Sequence, residues 1–159
     1  DPGKILEKTR DLVVSHFNQS EKDIRDGMDI AIGVFDFSSQ LLQCAGANNP
    51  IWYVRRGELF EIKACKQSVG KTTNYLPFET YEMQIMSNDI YYLFTDGFPD
   101  QFGGEKGKKY KYGKFKEYIR EISSRNIDEQ RALLEKEFLK WRGEYEQIDD
   151  VCVMGIKVK

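Results

Sequence analysis

Over residues 3–19 the apolar positions Ile5, Leu6, Leu12, Val13 and Phe17, with His16 among them, recur at the spacing of a helix face. The polar stretch Ser20-Glu21-Lys22-Asp23 breaks that pattern, and Asp26-Gly27 has the chemistry of a turn. From Met28 to Phe37 the run MDIAIGVFDF is rich in β-branched and aromatic residues and predicts a strand. Shorter strands are expected at Leu41–Ala45, Ile51–Arg55 and Leu59–Lys63, with Asn48-Asn49-Pro50 and Arg56-Gly57 as turns between them. Residues 64–80 have little periodicity and contain Gly70 and Pro77, which predicts a loop. Tyr81–Met86 alternates and Ile90–Thr95 is a continuous apolar run, so both read as strands, joined by Ser87-Asn88-Asp89. A Gly- and Lys-rich loop over 96–111 leads to helices at Tyr112–Arg125 and Ile127–Gly143, and Val151–Val158 is expected as a buried closing strand. Hairpin links dominate, so the expected class is α+β with an antiparallel sheet, not a βαβ repeat.

The length, 159 residues, suits about one domain, and two Trp, nine Tyr and ten Phe are enough aromatics for a core. The balance of 24 Lys and Arg against 26 Asp and Glu leaves a net charge of −2, without the positive excess that binding to a nucleic-acid backbone requires. No apolar run approaches the roughly 20 residues of a membrane helix, and Asp1-Pro2-Gly3-Lys4 does not open a secretory signal. A cytoplasmic protein is the resulting expectation, and an N-terminus that starts in a helix without Met suggests an excised fragment. Cys44, Cys65 and Cys152 are scattered singly beside apolar neighbours, which predicts buried free thiols, not a disulfide framework or zinc site. His16 is the only histidine and reads as a partly exposed helix residue, so a histidine-based catalytic scheme is disfavoured.

One stretch imitates a phosphate-binding loop. Lys66-Gln67-Ser68-Val69-Gly70-Lys71-Thr72-Thr73 follows a strand, but Cys65 stands where the first glycine is needed, and TTNYLPF is a poor helix. Carboxylates at strand ends are the stronger signal. Asp96 follows the run IYYLFT directly, Gly97 lets the chain turn, and Asp149-Asp150 precede VCVMGIKV. If those two strands are antiparallel neighbours, the carboxylates meet, as a hard divalent cation requires. Taken alone, Asp-Gly is also a common turn pair and Asp-Asp an ordinary solvated strand entry.

The segments YLFTDGFPDQFGG (92–104), AGANNPI (45–51) and QIDDVCVMG (147–155) resemble the metal-dependent serine/threonine phosphatases, in particular their bacterial SpoIIE and RsbU-like branch. Asp26-Gly27-Met28-Asp29-Ile30-Ala31, Lys66-Gln67-Ser68-Val69-Gly70 and the order of elements fit the same family, so the resemblance covers nearly the whole chain. It implies an α-β-β-α sandwich of antiparallel sheets with two or more Mg²⁺ or Mn²⁺ ions at one edge, whose bridging water attacks phosphorus without a protein nucleophile. By position, Asp96 and Asp149 match metal-binding aspartates, and Asp100 matches an acidic position associated with an outer or third metal. Gly97 keeps the backbone clear of the metal waters, and Asp150 is read as a turn or hydrogen-bonding residue. Lys108 and Lys109, in the lysine-rich insertion after this loop, are candidates to attract a phosphorylated substrate, although the same lysines suit a solvated loop.

The departure from the family pattern is upstream. No G-H-G element occurs, so the N-terminal strands and the first metal motif of the domain are expected to be missing from this chain. The resemblance therefore implies residues 1–159 as the C-terminal part of a phosphatase domain, weak or inactive by itself. Its implied substrate is a phosphorylated regulatory protein of the anti-sigma-factor-antagonist type, under an upstream sensory domain. The exposed sheet edge left by missing strands could pair with another chain, for instance in a homodimer. A non-catalytic interaction or regulatory domain of the same fold is the alternative.

Overall fold

A computed structural model describes residues 1–18 and 27–159. The expected polar break at 20–23 and Asp26 lie outside the described residues. The chain runs α1 (Pro2–Asn18), β1 (Gly27–Met28), β2 (Ile30–Asp36), β3 (Leu41–Ala47), β4 (Ile51–Arg55), β5 (Glu58–Ile62), β6 (Val69–Gly70) and β7 (Tyr81–Gln84). It continues β8 (Ile90–Phe94), α2 (Gly97–Asp100), β9 (Phe102–Gly103), β10 (Lys108–Lys109), α3 (Tyr112–Ile122), α4 (Ile127–Arg142) and β11 (Val153–Lys157). Among the described residues, β1–β6, β9–β10, β8–β11, β2–β3, β3–β7 and β4–β8 pair antiparallel, as expected, and Ala47 and Cys65 form an isolated parallel bridge. No described helix is long and apolar enough to cross a membrane.

Packing divides the chain into two units, Asp1–Ile51 with Glu61–Met86, and Trp52–Phe60 with Ser87–Lys159. In the first unit the sheet order is β2-β3-β7, with Ile32 opposite Ala45 and Cys44 opposite Tyr81. Leu6 of α1 is fully buried against Ala45, Ala47, Val69 and Phe78. The helix face differs from the apolar stripe: Ile5 and Leu12 are exposed, while Arg10 is buried. The guanidinium of Arg10 stacks over Tyr75 and Phe78 and donates to the Leu76 carbonyl at 2.8 Å. A long apolar stem with a satisfied head can take an inward position that hydrophobicity alone assigns elsewhere. Residues 64–80, expected as loop, include β6 paired with β1, and residues 71–80 carry no helix.

In the second unit the order is β11-β8-β4-β5. Trp52, Phe94, Phe98 and Phe115 form its aromatic centre, with Trp52 and Phe94 ring centroids 4.3 Å apart and Phe98 stacked on Phe115 at 4.6 Å. Such tilted and offset pairs add to simple area burial. Arg56 and Gly57 both have positive φ, 53° and 81°, as a two-residue hairpin turn that follows strand twist demands. Asn126 caps α4 by accepting from the Glu129 amide at 2.8 Å.

Two burial expectations need correction. The closing strand, predicted as buried, is the edge strand of its sheet among the described residues, with Met154 53% exposed. Val153 packs against the aromatic core of this unit, while Met154, on the other face, is exposed. The three cysteines also separate: Cys44 is buried, Cys65 half-buried and Cys152 exposed. Burial pushes the Cys44 thiol up to about 11, whereas Cys152 precedes the edge strand, where little packs over it. His16 is exposed on α1, as expected.

Candidate metal centre

The strand–turn segment around Asp96 is built by the residues on either side of it. Phe94 and Phe98 are both sunk in the aromatic centre, 5% and 2% exposed, so the five residues from 94 to 98 are pinned at both ends and Asp96 is left half-buried at the rim. Asp96 starts the single turn α2, and its carbonyl accepts from the Asp100 amide at 2.9 Å. The β8–β11 register runs from Ile90 opposite Lys157 to Phe94 opposite Val153. The C-terminal end of β8 and the N-terminal approach to β11 thus lie side by side, which places Asp96 and Asp149-Asp150 at the same end of the sheet. The two strands are thus the antiparallel neighbours that the sequence argument assumed.

Thr95 ties the two approaches together beyond the last ladder pair. Its amide donates to the Cys152 carbonyl at 3.0 Å, its hydroxyl donates to the Asp150 carbonyl at 2.7 Å, and the same hydroxyl accepts from the Cys152 amide at 2.9 Å. Gly97 lies against the same strand entry, where a Cβ would overlap the Asp150 carbonyl oxygen and stand 3.1 Å from Val151 Cγ2. The glycine is needed for close approach of two backbones. Gly97→Ala should therefore destabilise the protein by about 1–3 kcal/mol through overpacking, read as a fall in melting temperature. An unchanged melting temperature would remove close approach as the reason for glycine here.

Asp149 is exposed and its Oδ1 accepts from the Asp150 amide at 2.7 Å. Gln147 Nε2 donates to the Asp149 carbonyl at 2.9 Å, which steadies the turn before β11. Asp100 is half-buried and its Oδ2 is 2.9 Å from the Lys109 ammonium. Lys108 is exposed beside it on β10. The loop expected over 96–111 thus contains α2 and the β9–β10 hairpin. The sequence reading missed two residues. Thr95 clamps the strand ends, and the fully buried Gln101 donates from Nε2 to the carbonyls of Phe102 (2.9 Å) and Glu146 (2.8 Å). Neither is marked by periodicity; a hydroxyl directly before Asp-Gly and a polar residue inside an aromatic-rich stretch are the only local signals.

The family model for stage II sporulation protein E matches residues 1–159. The chain belongs to the SpoIIE family. This is a family of metal-dependent protein serine/threonine phosphatase domains, and the antiparallel sheets and helices described above match their PP2C-type fold. The SiaA PP2C domain of Pseudomonas aeruginosa superposes with a TM-score of 0.88 at 24% identity, over 100% of this chain and 61% of that one. The SpoIIE phosphatase domain from Bacillus subtilis gives 0.60 at 15% identity, over 98% of this chain and 72% of that one. The catalytic domain of the serine/threonine phosphatase PstP, in complex with two manganese ions, gives 0.64 at 15% identity, over 94% of this chain and 67% of that one. This chain therefore spans about three-fifths of the SiaA domain. No curated protein matches it in sequence.

The donors at the rim suit such an ion in kind, since carboxylate oxygens are what hard divalent cations take. Among the described residues, no group of three or more His, Cys, Asp and Glu side chains is placed to hold one ion.

Proposed function

We propose that this chain is the C-terminal part of a SpoIIE-type phosphatase domain that hydrolyses phosphoserine or phosphothreonine on a regulatory protein. The single observation that carries the reading is the placement of Asp96 and Asp149 at one end of the β8–β11 pair in a chain of this family. In this reading Asp96 and Asp149 hold Mg²⁺ or Mn²⁺, with Asp100 as an outer ligand, and the ions supply an activated water for attack on phosphorus. Gly97 keeps the backbone low beneath them, and Lys108 and Lys109 favour the approach of a phosphorylated partner. The substrate is of the anti-sigma-factor-antagonist type, the setting is cytoplasmic, and an upstream sensory domain governs activity.

Because two carboxylates hold such an ion weakly, the isolated chain is weakly active or inactive, and further ligands come from the rest of the protein. The free edge of β11, with Met154 exposed, is where another strand would pair, from the same protein or from a second copy in a homodimer. The absence of a three-ligand group among the described residues gives some weight to a second reading, a non-catalytic regulatory domain of the same fold. The two separate in one assay. Full-length protein given a phosphoserine peptide should release phosphate with Mn²⁺ and stop on chelation with EDTA. Phosphate release that is absent with Mn²⁺ would favour the non-catalytic domain.

A further inference from the structure

The turn that carries Asp96 is tied at both ends to the segment that carries Asp149. At one end the Thr95 hydroxyl donates to the Asp150 carbonyl at 2.7 Å. At the other, Gln101 Nε2 donates to the Glu146 carbonyl at 2.8 Å. Asp96 lies between positions 95 and 101, and Asp149 between 146 and 150, so both belong to one ring of backbone closed by these bonds. The Thr95 end continues the β8–β11 ladder, with the Thr95 amide donating to the Cys152 carbonyl at 3.0 Å. The Gln101 end is built differently. Residues 143–150 are all exposed, so a segment with little packing of its own is held at 146 by a side chain that is fully buried.

Gln101 is itself fixed in place. Its carbonyl accepts from Trp141 Nε1 and from the Tyr110 amide, both at 3.0 Å, and its amide donates to the Phe98 carbonyl at 3.3 Å. Its side chain carries a penalty, because Oε1 is buried and has no partner among the described residues. A methionine or leucine of similar volume would fill the site without that penalty. Packing therefore does not account for an amide here, whereas the donations of Nε2 to Glu146 and to the Phe102 carbonyl (2.9 Å) do.

We infer that Gln101 is a positioning residue for the metal centre, closing the ring that sets the Asp149 segment against the Asp96 turn. This rests on the phosphatase reading above and deepens it, by assigning the spacing of the two segments to a side chain that carries no charge. A hard divalent ion holds its ligands at short, fixed distances, so freedom in the 146–149 segment weakens binding before it disturbs the fold.

The test compares two buried amides in the full-length protein. Gln101→Met removes the cross-link at nearly constant volume. Gln130→Met removes an amide that is 1% exposed and bonded to Tyr92 and to the carbonyls of Ser123 and Arg125, outside the ring. Both should lower the melting temperature. Only Gln101→Met should speed amide hydrogen exchange over residues 147–150 and weaken Mn²⁺ binding about tenfold, the lower end for losing a group that orients a metal ligand. It should also lower kcat for a phosphoserine peptide at limiting Mn²⁺, with KM unchanged and kcat recovered at saturating Mn²⁺. Gln101→Asn keeps the amide but shortens its reach by one methylene; it should weaken Mn²⁺ binding likewise, whether or not the methionine variant folds. Mn²⁺ affinity within twofold of wild type in the Gln101 variants overturns the proposal, as does equal weakening by Gln130→Met, which would mark general loosening. In either case Mn²⁺ binding lost on Asp96→Asn leaves the phosphatase reading standing. A wild-type protein that binds no Mn²⁺ overturns both.

Discussion

Asp89→Ala should cost about 3 kcal/mol of stability, the lower end of what breaking a buried ion pair costs. The side chain of Asp89 is 1% exposed, and both its oxygens are in use. Arg55 grips it through Nε at 3.0 and 3.2 Å and through Nη2 at 2.7 Å, and the Tyr91 hydroxyl donates to Oδ2 at 2.9 Å. The backbone is tied as well: the Val158 amide donates to the Asp89 carbonyl at 2.9 Å, so this residue links the β8 entry to the end of β11. Burial first, and then the bond to Asp89, push the Tyr91 phenol well above its ordinary pKa, so it remains a donor across the accessible pH range. Removing the carboxylate takes from the guanidinium and the phenol the charged acceptor they share. Arg55 is 21% exposed and can recover some water, which is why the lower end of the range applies. For a chain of this size the loss corresponds to a melting temperature lower by about 6–12 °C. Asp89→Asn keeps an acceptor and should lose about half as much. A fall of less than 2 °C for the alanine variant would mean that the pair contributes no more than a solvated one.

What could be read from the sequence, and what could not, divides by the range of the interaction. The Arg56-Gly57 turn depends on neighbours within a few residues, so local chemistry was enough to anticipate that hairpin. Asp96 and the Asp149-Asp150 pair were singled out because each borders an apolar strand run, and the motif resemblance suggested the pairing. Buried polar residues were not legible. Arg10 is inward because of a carbonyl 66 positions away, and Gln101 because of one 45 positions away. Gln130, 1% exposed, accepts from the Tyr92 hydroxyl 38 positions away. No periodicity encodes such partners. The burial of β11 was overestimated for a related reason: composition reports that a strand prefers cover, while sheet order decides whether a neighbour is there. Residues 96–111 read as loop because Gly and Lys dominate them, yet Gly103 and Gly104 are where the backbone presses on Trp141. In this segment glycine marks close packing.

Asp96→Asn should lower phosphate release by full-length protein about 10²- to 10³-fold while leaving the fold in place. Several kcal/mol of transition-state stabilisation are at stake when a metal-holding carboxylate loses its charge, and each tenfold corresponds to about 1.4 kcal/mol. The backbone at this position is set by Phe94 and Phe98 in the aromatic centre and by the Thr95 clamp, none of which depends on the charge at 96. Asparagine is isosteric, so the melting temperature should move by no more than about 2 °C. Asp149→Asn should give a loss of similar size from the other strand approach, and the double variant little more, because two ligands of one site act as a unit. Asp150→Asn is the internal control: the group of Asp150 that faces the Asp96 turn is its backbone carbonyl, which accepts from Thr95 and abuts Gly97, and this survives the substitution. Its activity should stay within about threefold of wild type, the effect of an ordinary surface change. Metal affinity gives the second readout, since Asp96→Asn and Asp149→Asn should weaken Mn²⁺ binding and Asp150→Asn should not. Equal losses at 149 and 150 would show that the approach to β11 contributes general negative charge instead of a specific ligand. Full activity in Asp96→Asn would remove the strand-end carboxylates from the chemistry altogether.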